Sequence, residues 1–342
     1  MRSKPFLLLI LLILCSSCDS FMGRIINVPA DKDRYVIFDS IPVNFSDLNT
    51  EYDDYNSAYP PGSWGFDRTV VFSTNRESEG GDFDFISYNI RILYSTTEHD
   101  VEEIDGHEYD SPESMHSFSY LNSEFDELGP FYWEAIYSAD NSYRLYSFLY
   151  SDNSPGNHDI KGLVYYWNNN GANIAGQDSV ASISGLHGLN TEFNELYPSI
   201  RDDEIYFTSD RAGKFDIYLG KIQSESVFTD SKIELSSEIS LMEELSGPAD
   251  DKCPFVFGDI MVFTSDRDAG FGGFDLYYSV HTENGWSAPI NFGEEINTEY
   301  DEYRPIIIAG EDLGNDLMIF SSNRTGGKGG FDLYYVGIPK DL

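Results

Sequence analysis

The stretch MIFSSNRTGGKGGFDLYY (318–335) decides the fold, because related stretches occur three more times in the chain. They are VVFSTNRESEGGDFDF (70–85), IYFTSDRAGKFDIY (205–218) and MVFTSDRDAGFGGFDLYY (261–278). Each reads as an apolar run, a Ser/Thr-x-Asp/Asn-Arg motif, a glycine-bearing turn and an aromatic-Asp-apolar run. This pattern predicts two β-strands joined by a turn. A degenerate fifth copy is YSDNSPGNHDI (150–160).

The copies are regularly spaced. We place their Asp/Asn column at Asn75, Asp152, Asp210, Asp266 and Asn323, and the last three intervals are 58, 56 and 57 residues. A second motif precedes every copy: NTEYDDY (49–55), NSEFDELGP (122–130), NTEFNELYP (190–198), SGPADDKCP (246–254) and NTEYDEYRP (297–305). Repeats of this length with four β segments each are typical of propeller blades. The sequence therefore predicts an all-β protein, a β-propeller of five four-stranded blades, with a sixth unrecognised blade as the alternative.

The two ends of the chain have complementary strands. The last repeat stops after its third strand, Phe331–Ile338, while Val36–Phe45 precedes the first acidic motif as an orphan fourth strand. We therefore expect the N-terminal strand to complete the C-terminal blade within a propeller domain spanning 35–342. The first interval is some twenty residues too long, and we assign the excess to an acidic insertion at 97–113, between strands three and four of the first blade.

The first residues predict export. Arg2 and Lys4 precede an unbroken apolar run, and small residues follow it. This is the pattern of a secretory signal, here residues 1–17. A cysteine directly after two serines resembles the bacterial lipobox, which implies acylation of Cys18, an anchor and linker at 18–34, and attachment to the outer membrane on a side left open. An ordinary secretory signal cleaved nearby is the alternative. Cys253 is then expected to be a buried thiol.

The net charge is −38, from 59 acidic and 21 basic residues. Such a chain repels polyanions, so nucleic acid is excluded as the main partner, and an anionic membrane surface is too; membrane contact is expected only through the lipid anchor. No catalytic, phosphate-binding or dinucleotide motif occurs. His99, His107 and His116 lie in or beside the acidic insertion, where a solvated loop is favoured over a cation site. We expect neither a cofactor nor a metal.

Two sets of repeated residues are predicted to be structural, because a residue present in nearly every blade serves the repeat first. The arginines of the turns should pair with carboxylates of the links between blades, such as Asp53, Glu195, Asp250 and Asp301. These arginines are Arg76, Arg211, Arg267 and Arg324. The aspartates that open strand three should accept turn N–H groups. They are Asp84, Asp216, Asp275 and Asp332.

The second blade departs from the repeat. Ser154 stands at or beside the place of the arginine. Tyr132 and Trp133 lie in strand one of this blade, which we expect near the central channel. They are the residues we single out as ligand-binding candidates.

The repeats resemble those of TolB-like, WD-like β-propellers of the bacterial envelope. WSAPINFGEEINTEYDEYRP (286–305) followed by FSSNRTGGKGGFDLYY (320–335) is especially similar to repeats of Bacteroidota lipoproteins. The anchor, the propeller and the missing catalytic motifs together predict a non-catalytic, lipid-anchored scaffold that binds other envelope proteins, and no enzyme. One alternative is a carbohydrate-binding protein or glycosidase that uses the propeller channel. Another is a periplasmic TolB-like accessory of an envelope machine.

Overall fold

The computed structural model contains five β-sheets, each formed mainly from one repeat of the sequence. The structure describes residues 36–60, 67–94, 101–108, 118, 121–137, 143–154, 156–168, 181–183, 186–223, 239–310, 313–340 and 342. The predicted signal sequence, Cys18 and the linker to residue 34 lie outside these residues. Within the described part of the chain, no helix is long and apolar enough to cross a membrane.

The first three sheets, which we call blades one to three, are antiparallel with four strands each. Blade one contains β2 (Asp54–Ala58), β3 (Asp67–Thr74), β4 (Asp84–Tyr94) and β5 (Val101–Glu108). Blade two contains β6 (Glu127–Tyr137), β7 (Tyr143–Asp152), β8 (Asp159–Asn168) and β9 (Ala181–Ser182). Blade three contains β10 (Glu195–Arg201), β11 (Glu204–Ser209), β12 (Asp216–Lys221) and β13 (Ser240–Leu241), and a short 3-10 helix, Leu186–Gly188, precedes it.

Blades four and five complete the five. Blade four contains β14 (Asp251–Phe257), β15 (Ile260–Ser265) and β16 (Asp275–Thr282), and β16 pairs with both β17 (Gly285–Trp286) and β18 (Ile290–Asn291). Blade five contains β19 (Glu302–Ile308), β20 (Asp316–Ser322) and β21 (Asp332–Ile338). The outer neighbour of β21 is β1 (Val43–Asn44), with Val43 opposite Tyr335. The protein is thus an all-β, five-bladed β-propeller.

The predicted acidic insertion at 97–113 needs a correction. Eight of its residues form β5, which pairs with β4 from Tyr88 opposite Glu108 to Tyr94 opposite Val101. The physical reason is that β4 is eleven residues long, so its outer edge leaves backbone groups that a further strand satisfies. The segment is therefore part of the sheet of blade one, although it is rich in acids.

The blades pack face to face through apolar side chains that alternate along their middle strands. Between blades three and four, Tyr206 and Ile217 contact Met261 and Phe263, all of them buried. Trp286 joins this contact: its indole Nε1 donates to the Tyr206 hydroxyl at 3.2 Å, and the two rings meet edge to face. Trp286 therefore packs between blades.

Strand one of every blade is bent at its third residue. That residue has a positive φ, between 48° and 61°, and the strand pairing shifts register directly after it. The five residues, which we call the bulge residues, are Asn56, Gly129, Tyr197, Cys253 and Arg304. A bulge of this kind re-aims the side chain of one residue away from the alternation of the strand. The bulge residues therefore determine which groups the five inner strands direct toward the centre of the ring.

Candidate functional site

A carboxylate at the first position of strand one binds the arginine of the same blade. Arg324 Nη2 lies 2.9 Å from Glu302 Oε1 and also donates to the Ile296 carbonyl at 2.8 Å. We call this arginine–carboxylate pair within one blade a clamp. Three other blades have one: the nitrogen–oxygen distance is 2.6 Å for Arg76–Asp54 and 3.0 Å for Arg211–Glu195, and Arg267 is paired with Asp251. Each carboxylate side chain is inaccessible to solvent. These arginines are therefore committed to contacts within the blade.

The predicted partners of the arginines were right for Glu195 and wrong by one residue for Asp53, Asp250 and Asp301. The latter three carry a different contact, because alternate residues of a strand point to opposite sides. Each accepts a backbone N–H from the preceding blade, as Asp53 Oδ1 does from Phe331 at 2.7 Å. The same contact recurs at Asp126, Asn194, Asp250 and Asp301. This column therefore links neighbouring blades.

The aspartates that open strand three bind the turns before them in two blades. Asp275 accepts the N–H groups of Phe271 and Gly272, and Asp332 accepts those of Lys328 and Gly329, at 2.7 to 3.2 Å. In blade three, Asp216 instead pairs with Lys214. In blade one, burial raises the pKa of Asp84. The structural role predicted for these four aspartates stays a prediction.

Blade two replaces the clamp with a pair of carboxyl groups. Asn153, rather than Asp152, takes the place of the Asp or Asn repeated in the turns of the other blades, since its Oδ1 accepts the N–H of Asp126 at 3.1 Å. Asp152 therefore stands where the other blades have Ser or Thr, opposite Glu127. Burial raises the pKa of Glu127 to about 7, and the charge of Asp152 adds to this effect. The nearest cation in the described contacts is Lys161, whose Nζ lies 2.7 Å from Asp152 Oδ1.

A pocket of about 280 Å³ lies beside the inner strands of blades two to five. Its wall includes one bulge residue, Tyr197, and the residue before another, Tyr303. The described residues that line it are Leu128, His158, Asn194, Leu196, Tyr197, Phe215, Lys252 and Tyr303. Aromatic faces thus occur together with hydrogen-bonding groups, and no carboxylate is among these lining residues. We call this cavity the mouth pocket.

Aromatic rings from neighbouring blades surround the second residue of strand one. Lys252 Nζ lies over the rings of Phe215 and Phe274, at 4.3 and 4.6 Å from their centroids. In blade five, Tyr303 contacts the rings of Phe274 and Phe331 in the same way. Each inner side chain is therefore held between a ring of its own blade and a ring of the preceding blade, which fixes the wall of the mouth pocket.

In blade two, His158 takes the place of the phenylalanine before strand three. Its Nδ1 lies 3.3 Å from Asn194 Oδ1, and its buried Nε2 has no hydrogen-bond partner in the described protein. The other blades have phenylalanine at the corresponding position before strand three. The substitution places a hydrogen-bonding group in the wall of the mouth pocket, where the repeat would supply only an apolar one.

Tyr132 and Trp133 are not among the described residues that line the mouth pocket, and their role as ligand-binding candidates stays a prediction. Tyr132 packs edge to face on Phe148 at 4.8 Å, inside the core between blades one and two. Trp133 packs against the core between blades two and three.

The wall residues occupy two repeated columns of the sequence that were not predicted to be part of a site. Lys252 and Tyr303 occupy the residue after the strand-one carboxylate, and His158 and Phe215 the residue before the strand-three aspartate. The second column precedes the predicted aspartates of strand three, whereas the first follows carboxylates that lie one residue beyond the predicted Asp250 and Asp301. The two columns are seen to form one wall only when the start of strand one and the start of strand three are placed at the same end of the ring.

The remaining candidates are the possible metal ligands and Cys253. Among the described residues, no group of three or more His, Cys, Asp and Glu side chains is arranged to hold a metal ion. His99, His116 and the side chain of His107 lie outside what the structure describes. Cys253 is free and buried, as expected, and burial raises its pKa to about 12. Its thiol is therefore neutral at physiological pH.

Comparison with solved structures identifies the propeller type. An endo-arabinase from Bacteroides thetaiotaomicron superposes with a TM-score of 0.50 at 12% identity, covering 88% of this chain and 98% of that chain. The fold is shared with an endo-arabinase. A thermostable family-43 glycoside hydrolase gives 0.49 at 13% identity, covering 83% and 88%. The catalytic domain of the Coprinopsis cinerea GH62 α-L-arabinofuranosidase gives 0.43 at 10% identity, covering 89% and 96%. No family model and no curated protein matches the sequence.

These comparisons correct three predictions. The matching structures are glycoside hydrolases, so the assignment to TolB-like and WD-like envelope propellers was wrong. The prediction of a non-catalytic scaffold and no enzyme, made from the anchor, the propeller and the missing catalytic motifs, is corrected by the same match. The physical reason is that the repeated motifs form clamps and links between residues of the propeller itself. Such contacts describe how blades hold together, and the same fold hosts unrelated functions.

Proposed function

We propose that the chain is a carbohydrate-active protein whose saccharide site is the mouth pocket. The observation that carries this proposal is the wall of that pocket, where Tyr197, Tyr303 and Phe215 occur with Lys252 and His158. Sugar rings present C–H faces that pack on aromatic rings and hydroxyl groups that need hydrogen-bond partners. A volume of about 280 Å³ accommodates one or two sugar units. The fold shared with an endo-arabinase supports the same substrate class.

Hydrolysis of a glycosidic bond would require two carboxyl groups. Two carboxylates belong to the same column as the lining residue Asn194, namely Asp126 in blade two and Asp250 in blade four. Asp250 Oδ2 lies 3.4 Å from the Nζ of the wall residue Lys252. We therefore assign Asp250 as the first carboxyl group to test for hydrolysis, with Asp126 as its partner.

The proposal is tested by measuring binding and hydrolysis separately on the full chain. Calorimetric titration with arabino-, xylo- and galacto-oligosaccharides measures binding, and product analysis of the same mixtures measures hydrolysis. Lys252→Met should weaken binding about tenfold or more, because it removes a charged hydrogen-bond donor from the wall. Asp250→Asn should abolish hydrolysis while leaving oligosaccharide binding within about threefold.

A matched control is Lys221→Met, which removes an exposed lysine from the end of β12 and should change neither quantity. Binding that is unaffected by Lys252→Met would overturn the assignment of the mouth pocket. Binding without hydrolysis of any oligosaccharide would retain the pocket and reject the two assigned carboxyl groups.

We further propose that the N-terminal strand fastens the ring. Supporting this are the antiparallel pairs Val43–Tyr335 and Asn44–Tyr334 between β1 and β21. Two side-chain contacts add to them: Asn44 Nδ2 donates to Asp332 at 2.9 Å, and Asn49 Nδ2 donates to the Leu333 carbonyl at 2.9 Å. Fastening of this kind covers the outer edge of β21, which otherwise invites pairing with another chain.

A further inference from the structure

Arg304 extends from blade five across the centre of the ring. Its Nη2 donates to the carbonyl of Pro130 in blade two at 3.0 Å, and its Cζ lies 5.7 Å from the centroid of the Tyr197 ring in blade three. The residue is completely inaccessible to solvent and is the largest fully buried side chain of the described protein. The guanidinium therefore lies inside the channel, next to a residue that lines the mouth pocket.

This guanidinium has no negatively charged partner in the described structure. Its Nε and Nη1 have no hydrogen-bond partner, and it forms no ion pair with a described carboxylate. The titratable groups that act on it are Cys253, Tyr197 and Tyr303, which are neutral at pH 7 because burial raises the pKa of each. An unpaired buried charge is strongly destabilising, and arginine does not lose its proton in proteins.

The neighbouring bulge residue has the same deficiency. Both polar atoms of the Asn56 side chain, in blade one, are buried without a hydrogen-bond partner. The hydroxyl of Ser57, the next residue, is also unpartnered. Buried polar groups in proteins are nearly always satisfied, and exceptions indicate a water or an ion. Asn56 and Ser57 lie on the inner strand of blade one, which neighbours the strand of Arg304 in blade five.

We propose that the channel is a binding site for a small anion or a carboxylate group, held by Nε and Nη1 of Arg304. The anion supplies the negative charge that the guanidinium lacks and the acceptors that its N–H groups lack. Two sources have this chemistry: a free ion such as chloride or acetate, and the carboxylate of a sugar acid that enters from the mouth pocket. The proposal concerns Arg304 alone and does not depend on hydrolysis or on binding of neutral sugars.

The test measures thermal unfolding of the full chain in chloride, acetate, glucuronate or glucose, with MES replacing the anion at constant ionic strength. A ligand that binds only the folded state raises Tm, and we expect about 2 °C or more at 300 mM chloride or acetate. Arg304→Met should remove this increase. Arg201→Met is the matched control, since Arg201 pairs with the exposed Asp259, and it should retain the increase.

A bromide-soaked crystal of the wild-type protein locates the ion without any variant. We expect an anomalous peak within about 3.5 Å of Nε or Nη1 of Arg304. Stabilisation by glucuronate but not by acetate, with glucose inactive, would assign the site to a sugar acid. Equal responses of the wild type and Arg304→Met, or only water beside Arg304 in the bromide-soaked crystal, would overturn the proposal.

Discussion

Glu127 and Asp152 lie directly opposite each other on β6 and β7, in the blade where serine replaces the clamp arginine. In the other four blades, the carboxylate equivalent to Glu127 binds an arginine and a Ser or Thr hydroxyl. Among the described residues, the Glu127 carboxyl group is hydrogen-bonded by Ser123, whose hydroxyl donates to Oε1 at 2.5 Å. Blade two is therefore the place where the stability of the propeller should depend most on pH.

The first prediction follows from Glu127. Burial raises its pKa from 4.5 to about 7, so the folded protein retains a proton that the unfolded chain loses between these values. The free energy of unfolding should therefore fall as the pH rises from about 4.5 to 7, by about 1–2 kcal/mol. Glu127→Gln should remove this part of the pH dependence in urea titrations. An identical pH profile of the variant would contradict the shifted pKa.

The second prediction rebuilds the clamp. Asp152→Ser combined with Ser154→Arg gives blade two the residues that the other blades use, with Glu127 as the acceptor. The new guanidinium should ionise Glu127 and raise the free energy of unfolding at pH 8 by about 1–3 kcal/mol. Asp152→Ser alone is the control, because it removes one charge without adding the arginine. The double variant must exceed that control in urea midpoint for the prediction to hold.

The third prediction concerns an existing clamp. Arg324→Ala leaves Glu302 buried without its guanidinium, and we expect the free energy of unfolding to fall by about 2–4 kcal/mol. Arg324→Lys should lose less, since it keeps the charge but not the fork. Urea titration measures both. If Arg324→Ala unfolds normally and fails only in ligand binding, the predicted structural role of these arginines is wrong.

The fourth prediction tests the fastening of the ring. Cysteines placed at Val43 and Tyr335, which face each other across β1 and β21, should form a disulfide within one molecule. Deleting 19–46 should expose the edge of β21 and cause aggregation, which light scattering detects. Disulfides found only between molecules, or a deletion variant that remains monomeric with unchanged Tm, would count against a fastened ring.

The fifth prediction concerns the expected anchor. Cys18→Ser should move the protein from the membrane fraction to the soluble fraction, because stable attachment requires acyl chains. Fractionation and metabolic labelling with a fatty acid measure this directly. Cys253→Ser provides the control, since that thiol is buried in the propeller and should leave fractionation unchanged.

The sequence was sufficient to predict five blades, because repeats at a fixed spacing impose nearest-neighbour packing. It missed the fourth strand of blade one, since β5 lies in the segment predicted as an insertion. It was not sufficient for the partner of Arg324, where a shift of one residue from Asp301 to Glu302 changes the side of the strand. The sequence did not predict a role for Arg304 either, for a different reason. Arg304 has no repeated counterpart, and a pattern of repeats carries no signal for a residue that occurs once.

The bend at the third residue of each inner strand allows the bulge residues to change while the clamps and links between blades stay the same. Because the backbone there is left-handed in all five blades, residues as different as Gly129 and Arg304 occupy equivalent sites without altering the sheet around them. The clamps and links can therefore stay constant while the centre acquires new chemistry one blade at a time. A propeller of this design can gain or lose a ligand by single substitutions, and its five inner positions are where a search for altered specificity in related chains should begin.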